Sequence, residues 1–160
     1  MPDALRFPGD QHWFASLLDR AALIVHGRHS FEDQPRSHQR RRIVLTHAVA
    51  GVAPDPTNPQ ATLWNPAGAS FEQACAQAAV AAGSVAVIGG PEVFRMFLDR
   101  YDTFWLTRAP HVRLPGGRPA FATPGAPEDI LRAHGLVPGT TRILDPAHDV
   151  TLTAWRRVTP

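Results

Sequence analysis

The chain has little of several things, and each scarcity removes a class of function. Cys75 is the single cysteine among 160 residues. No internal disulfide can form, multi-cysteine zinc clusters are excluded, and a reducing, cytoplasmic setting fits. Lysine is absent, so all 16 basic residues are arginine. Charged residues reach only 19% and the net charge is +2, too mild a bias to imply nucleic acid without a patterned patch. No apolar run approaches the roughly 20 residues of a membrane span. The opening "MPDALRFPGD" lacks the cationic and apolar regions of an export signal. The histidines form no HxxxH or HExxH pattern and no nucleophile elbow is present, so neither a metal site nor a serine nucleophile is expected.

What is present suits one domain over residues 1–160, since 44% of the residues are hydrophobic and the length supports a sizeable core. The 16 prolines predict many stiff loops. Trp13, Phe14, Leu17 and Leu18 recur at helical spacing, with Asp10 where an N-cap would sit. "AALIVHG", "RRIVLTH" and "ATLWNP" read as short strands. "GVAPDPTNPQ", with three prolines, reads as a loop. Ser70 and Gln73 form a capping box that opens a helix running to about Ala82. "SVAVIGGPEVFRMFLDR" then joins a strand to a helix through two glycines, with Pro91 at the first helical position. "DTFWLTRA" is a further strand, "RLPGGRPAFATPGAPED" a long loop, and "TRILD" and "VTLTAWRRV" an antiparallel hairpin. The order predicts a mixed α/β fold with a mostly parallel central sheet flanked by helices and closed by that hairpin.

The chemistry lies at the strand ends. Gly89-Gly90 ends a strand at a helix start, where free N–H groups and bare backbone can receive an anion; a tight turn has the same residues, and neither GxGxxG nor a Walker loop is formed. "VHGRHSFE" repeats the junction, with Arg28, His29 and Ser30 able to hold a phosphate or simply to make a polar turn. Arg40, Arg41 and Arg42 form a charge run of the kind that is usually solvated, although one guanidinium could grip a carboxylate through two bonds. Asp10 is either a helix cap or a carboxylate that pairs with an amidine-like ring edge.

In this order and spacing, "FPGDQHWF", "LIVHGRHSFE", "RRRIVLT", "VAVIGGPEVFRMFL", "DTFWLTRA" and the final hairpin resemble the dihydrofolate reductase family, from about Phe7 to the C-terminus. The resemblance implies NADPH across the carboxyl edge of the sheet and a pterin beside it. Asp10 then matches the acid that binds the pterin and assists its protonation, Thr107 the threonine behind that acid, and Phe14 the aromatic flanking the ring. Arg40, or Arg41 if the gap is placed differently, matches the arginine that grips the folate glutamate tail. Gly27, Arg28, His29 and Ser30 match the segment holding the cofactor phosphates, the 2′-phosphate included, and Thr46 and His47 fall near the adenosine. Gly89 and Gly90, which the family joins by a cis peptide, match the nicotinamide and pyrophosphate site, continued by Glu92 and Val93.

Three departures stand out. Pro91 replaces a usual third glycine, Phe94 a frequent tyrosine, and the "PGGRPAF" loop lacks an acidic residue often found there. The family also opens with a central strand and a mobile loop, whose end corresponds to Met1. The expectation is therefore that the natural product begins upstream, or that a homodimer lends the strand, with the strands ending at Gly27 and Gly89 and the strand Asp102–Ala109 in one sheet. The leading function is NADPH-dependent hydride transfer to a pterin such as dihydrofolate. The alternatives are dihydromethanopterin, the ribosylaminopyrimidine phosphate of riboflavin synthesis, and a non-catalytic nucleotide-binding protein. The partners expected are small molecules, without nucleic acid or membrane.

Overall fold

The computed structural model describes residues 3–158, which fall into two compact units: Ala15–Phe94, and Met1–Phe14 with Arg95–Pro160. The first helix, α1 (Pro8–Arg20), runs through one boundary, and α3 (Pro91–Met96) through the other.

The Ala15–Phe94 unit is built on a five-stranded sheet in the order β3-β4-β2-β1-β5. Its strands are β1 (Leu23–Gly27), β2 (Arg42–Leu45), β3 (Val52–Pro54), β4 (Ala61–Trp64) and β5 (Val85–Val87). All neighbours are parallel except β3, which runs antiparallel to β4. Leu23, Ile24, Val25 and Ile43 are at most 1% exposed. This explains why β1 reads as an unbroken apolar run: a parallel strand covered on both faces has no solvent side to alternate with.

Two local expectations need correction here. The segment read as a loop contains β3, paired from Val52↔Trp64 to Pro54↔Thr62. A short edge strand has no further ladder to feed, so it tolerates proline. The helix opened by the capping box, α2 (Phe71–Gln77), stops well before Ala82. Ala79 adopts φ 55, and the Ala78 and Ala79 carbonyls accept from Arg41 Nη1 at 3.2 and 2.8 Å. Alanine content alone did not mark this stop.

The other unit holds a three-stranded antiparallel sheet of β6 (Thr103–Arg108), β7 (Leu136–Asp145) and β8 (Val150–Arg157), with β8 in the middle. Val150, Leu152 and Ala154 alternate inward along β8 and are at most 4% exposed. Arg157 ties this sheet to the segments around it. Its Nε donates to the Tyr101 carbonyl at 3.0 Å, and its Nη1 and Nη2 to those of His134 and Leu98 at 2.8 Å each. Asp145 shapes the hairpin turn by accepting from the N–H groups of Ala147 and His148.

The Pro/Gly loop gives way at Pro127 to a helix, α4 (Pro127–Ala133), where the sequence pattern predicts loop and connection. Pro127 opens it, Glu128 and Asp129 suit its positive end, and Leu131 is fully buried. Seven residues are too few for a clear period. β7 also starts at Leu136, five residues ahead of "TRILD", with its register shifted between Pro138 and Thr141.

The expectation of a single sheet is not met. β6 pairs with β8 alone, from Thr103↔Arg156 to Arg108↔Thr151, and β5 pairs with β1 alone. No strand among the described residues supplies the two ladders that a shared sheet would require. No helix of the described residues is long and apolar enough to cross a membrane.

Leu152→Ala should lower stability in urea denaturation by about 2–5 kcal/mol, since it opens a cavity under the three-stranded sheet. Ile143→Ala, at a residue 67% exposed, should stay within about 0.5 kcal/mol of the parent.

Candidate functional site

In the Met1–Phe14 and Arg95–Pro160 unit, two residues 97 positions apart meet: Thr107 Oγ1 donates to Asp10 Oδ1 at 2.8 Å. Local sequence explains each placement. α1 begins at Pro8, so Asp10 lies inside the first turn and is not the N-cap. Gly9 lets the helix approach β7, because a β-carbon there would fall 2.3 Å from the Leu144 carbonyl oxygen. On β6, Trp105 and Thr107 share a face by the two-residue period. Trp13, one turn beyond Asp10, packs on Trp105 with ring centroids 5.1 Å apart, and the Arg142 guanidinium lies 5.6 Å from the Trp105 ring centroid. Phe14 follows Asp10 by four residues and is half-buried. The sequence reading missed Trp13 and Trp105 as neighbours of the site, although helical and strand spacing from Asp10 and Thr107 could have found both.

Burial pushes the Asp10 carboxyl above its ordinary value, and the Thr107 hydrogen bond offsets only part of that. Oδ2 has no donor among the described residues, so the carboxyl can take a ligand N–H there beside the threonine bond at Oδ1.

In the Ala15–Phe94 unit, the chain passes from β1 outward to β2 and β4, then returns to place β5 on the far side of β1. The carboxyl ends of β1 and β5 therefore form a switch point, the place where open α/β sheets bind ligands. Gly27 ends β1, and its N–H donates to the Gly89 carbonyl at 2.8 Å. The Gly89-Gly90 peptide is cis. At φ 106, a side chain at Gly89 would be strained, and its β-carbon would crowd the Phe94 ring at 3.1 Å. A β-carbon on Gly90 would lie 3.2 Å from Ser30 Oγ. Bare backbone at these two positions is what a close-lying phosphate or ring requires.

The other residues singled out in this unit lie around the same edge. The Ser30 N–H closes a turn onto the Gly27 carbonyl at 2.9 Å. Arg28 and His29 are exposed, with no side-chain partner among the described residues. Thr46 and His47 follow β2, where Thr46 Oγ1 accepts from the Ala48 N–H at 3.1 Å and His47 is exposed. Glu92 is exposed on α3 and Val93 is 6% exposed. α3 is only six residues long, so this edge offers an anion glycine backbone more than a helix dipole.

Between β1 and β2 the three arginines part ways. Arg41 caps α2, as described above. Arg42 is fully buried, with Nη2 3.0 Å from Glu32 Oε1 and 2.6 Å from the Ser37 carbonyl, and its guanidinium 4.3 Å from the Phe31 ring centroid. Its Nη1 donates to His26 Nε2 at 3.2 Å, which puts the imidazole proton on Nδ1, 2.8 Å from the Gly27 carbonyl. Burial holds the His26 pKa down. Arg40 Nη1 reaches both Glu32 oxygens at 3.1 and 3.2 Å, and its Nη2 reaches Asp19 Oδ1 at 2.6 Å. Burial alone would raise the Glu32 carboxyl; hydrogen bonds from Ser37, Arg42 and the Gln34 N–H, with the Arg40 charge, bring it below its ordinary value. The sequence reading missed Glu32, Asp19 and His26, because no local pattern reveals pairing across this distance.

Residues 4–116 match the family profile described as Dihydrofolate reductase. No curated protein matches the chain. Among solved structures, the dihydrofolate reductase from Enterococcus faecalis complexed with NADP(H) and RAB-propyl superposes with a TM-score of 0.63 at 19% identity, over 98% of this chain and 85% of that one.

Asp10→Asn keeps the shape and the Thr107 bond but removes the titration. A carboxyl whose folded pKa is raised binds more protons folded than unfolded, so its contribution to stability falls as pH rises from the ordinary carboxylate value through the shifted one. The variant should therefore match the parent in acid and gain on it toward neutral pH, read by urea denaturation across pH. Superimposable pH profiles would contradict the raised pKa.

Proposed function

The chain belongs to the dihydrofolate reductase family, and on that premise we propose that it is an NADPH-dependent oxidoreductase that reduces a pterin. The observation that carries this reading is the Asp10–Thr107 pair, because it is a part-buried carboxyl with one oxygen fixed by a hydroxyl and the other open. Such a group accepts two adjacent N–H donors, the edge that a 2-amino-pterin ring presents.

Asp10 binds that edge and orients the ring. Its raised pKa keeps a proton available nearer to neutral pH than an ordinary carboxylate would, which suits assistance to protonation of the ring nitrogen. Thr107 fixes the carboxyl rotamer. Phe14 flanks the ring. NADPH, when bound, supplies the hydride. The residues that would hold it are Gly27, Gly89 and Gly90, whose backbone stays bare, with Ser30 beside them. Arg28 and His29 present cationic and hydrogen-bonding groups for the 2′-phosphate. Thr46 and His47 would lie toward the adenosine, and Glu92 and Val93 next to the glycines. The single cysteine suits a cytoplasmic setting.

Asp10→Asn should lower kcat/KM for a dihydropterin by about a hundredfold or more while NADPH affinity stays near the parent value. Parental activity in this variant would remove Asp10 from the chemistry. Arg28→Ala should weaken NADPH binding by roughly ten- to a hundredfold and leave NADH binding unchanged, as expected for loss of a charge-assisted contact to the 2′-phosphate. Equal affinity of the parent protein for the two cofactors, measured by calorimetry, would contradict the assignment.

A further inference from the structure

The turn at residues 27–30 is gripped from within the sheet as well as by its own backbone. Two donors meet the Gly27 carbonyl: the Ser30 N–H at 2.9 Å and His26 Nδ1 at 2.8 Å. The Arg28 N–H reaches the Leu45 carbonyl at 3.2 Å. Beyond that point the Arg28 and His29 side chains are exposed, with no partner among the described residues. Their direction is therefore set by the backbone of the turn, and His26 is the buried side chain that holds that backbone.

His26 is 1% exposed, in a strand whose other buried members are Leu23, Ile24 and Val25. The parallel register sets Ile24 opposite Arg42. His26, two residues on, thus shares a face with Arg42, and Arg42 Nη1 lies 3.2 Å from His26 Nε2. A guanidinium has donors only, so Nε2 must be bare and the proton of a neutral ring sits on Nδ1, facing Gly27. Burial holds the His26 pKa below the ordinary histidine value, which keeps the ring neutral. Phe31 packs edge-on against it, with ring centroids 5.6 Å apart.

The opposite tautomer would set two lone pairs, those of Nδ1 and of the Gly27 oxygen, against each other at 2.8 Å. Arg42 therefore decides whether His26 holds this carbonyl or repels it. Arg42 cannot turn away, because its Nη2 is fixed by Glu32 Oε1 at 3.0 Å and by the Ser37 carbonyl at 2.6 Å.

We propose that His26 is a positioning residue for the cofactor: held in one tautomer by Arg42, it fixes the Gly27 carbonyl and so aims Arg28 and His29 at the 2′-phosphate of NADPH. The inference rests on the NADPH reading of this sheet edge and adds to it a residue that touches no ligand.

Two variants separate the roles of the two ring nitrogens. In His26→Asn the side-chain amide N–H reaches where Nδ1 stood and still donates to Gly27, but Arg42 loses its acceptor. In His26→Gln the amide oxygen reaches where Nε2 stood and serves Arg42, but the bond to Gly27 is lost. Calorimetry reads NADPH and NADH binding to the full chain, and thermal unfolding reads the fold. His26→Gln should weaken NADPH binding about three- to tenfold, the worth of one hydrogen bond, with NADH binding and Tm near the parent values. His26→Asn should bind NADPH within about twofold of the parent although its Tm falls by roughly 2–10 °C, because a buried guanidinium N–H is left unpaired. Equal losses of NADPH affinity in the two variants, a loss in His26→Gln shared equally by NADH, or unchanged NADPH affinity in folded His26→Gln would overturn the inference and leave the NADPH reading standing. The parent protein gives a measure that needs no variant: nitrogen NMR of the imidazole should show His26 protonated on Nδ1 and bare at Nε2, and the reverse pattern would overturn the inference. Failure of the folded parent protein to bind NADPH would overturn the cofactor reading and this inference with it.

Discussion

The crossover from β1 to β2 depends on one buried carboxylate. Glu32 meets Arg42, a side chain with no exposure at all, and Arg40, which is nearly as enclosed. Withdrawing two guanidinium groups from water is costly unless charge and hydrogen bonds compensate. Glu32 supplies the charge, and Ser37, His26 and Pro35 supply further acceptors. The segment so anchored begins at the Gly27–Ser30 turn, which gives that turn a fixed base. Phe31, exposed on one side, closes over Arg42, and His26 links the same arginine to the end of β1. A polar network of this kind specifies one arrangement of the loop where an apolar patch would allow several.

The two compact units carry different chemistry. In the Ala15–Phe94 unit, parallel strands bring Gly27, Thr46 and Gly89 to one edge of a sheet, with backbone left bare by glycine. In the other unit, an antiparallel sheet presents Thr107 to a helix-borne carboxyl. A reductase needs both kinds of site: backbone and cations for an anionic cofactor, and a poised carboxyl for a basic heterocycle. Parallel strands with ends aligned favour phosphate, while a hydroxyl projecting from an antiparallel strand can hold one side-chain rotamer.

Much of this was legible in the sequence, where the signal was local. The capping box at Ser70, the short strand leading into Gly89-Gly90 and the helix start at Pro91 are each set by residues within one turn of each other. Asp10 stood out by its place ahead of an apolar helical stripe, as either a helix cap or a ligand-binding carboxylate, and the fold removes only the cap. The helix begins two residues earlier, because Pro8 suits a first turn and Gly9 is needed for packing. The unreadable parts rest on distant partners. β3 exists because Trp64 and its neighbours offer a ladder, and α4 because Leu131 has a core to enter. The division into two sheets depends on which edges find partners, a property of no single segment. Arg40, Arg41 and Arg42 look alike in sequence and do three different things, since Glu32, Ala79 and His26 meet them only in the fold.

The central claim is that the Asp10–Thr107 pair belongs to an NADPH-dependent pterin reductase. Its most direct test is the loss of NADPH absorbance when the purified chain meets a dihydropterin, with NADH and a pterin-free mixture as controls. The account predicts NADPH oxidation that requires the pterin, yields the tetrahydro product and is much slower with NADH. No pterin-dependent oxidation by folded protein that binds NADPH would contradict it.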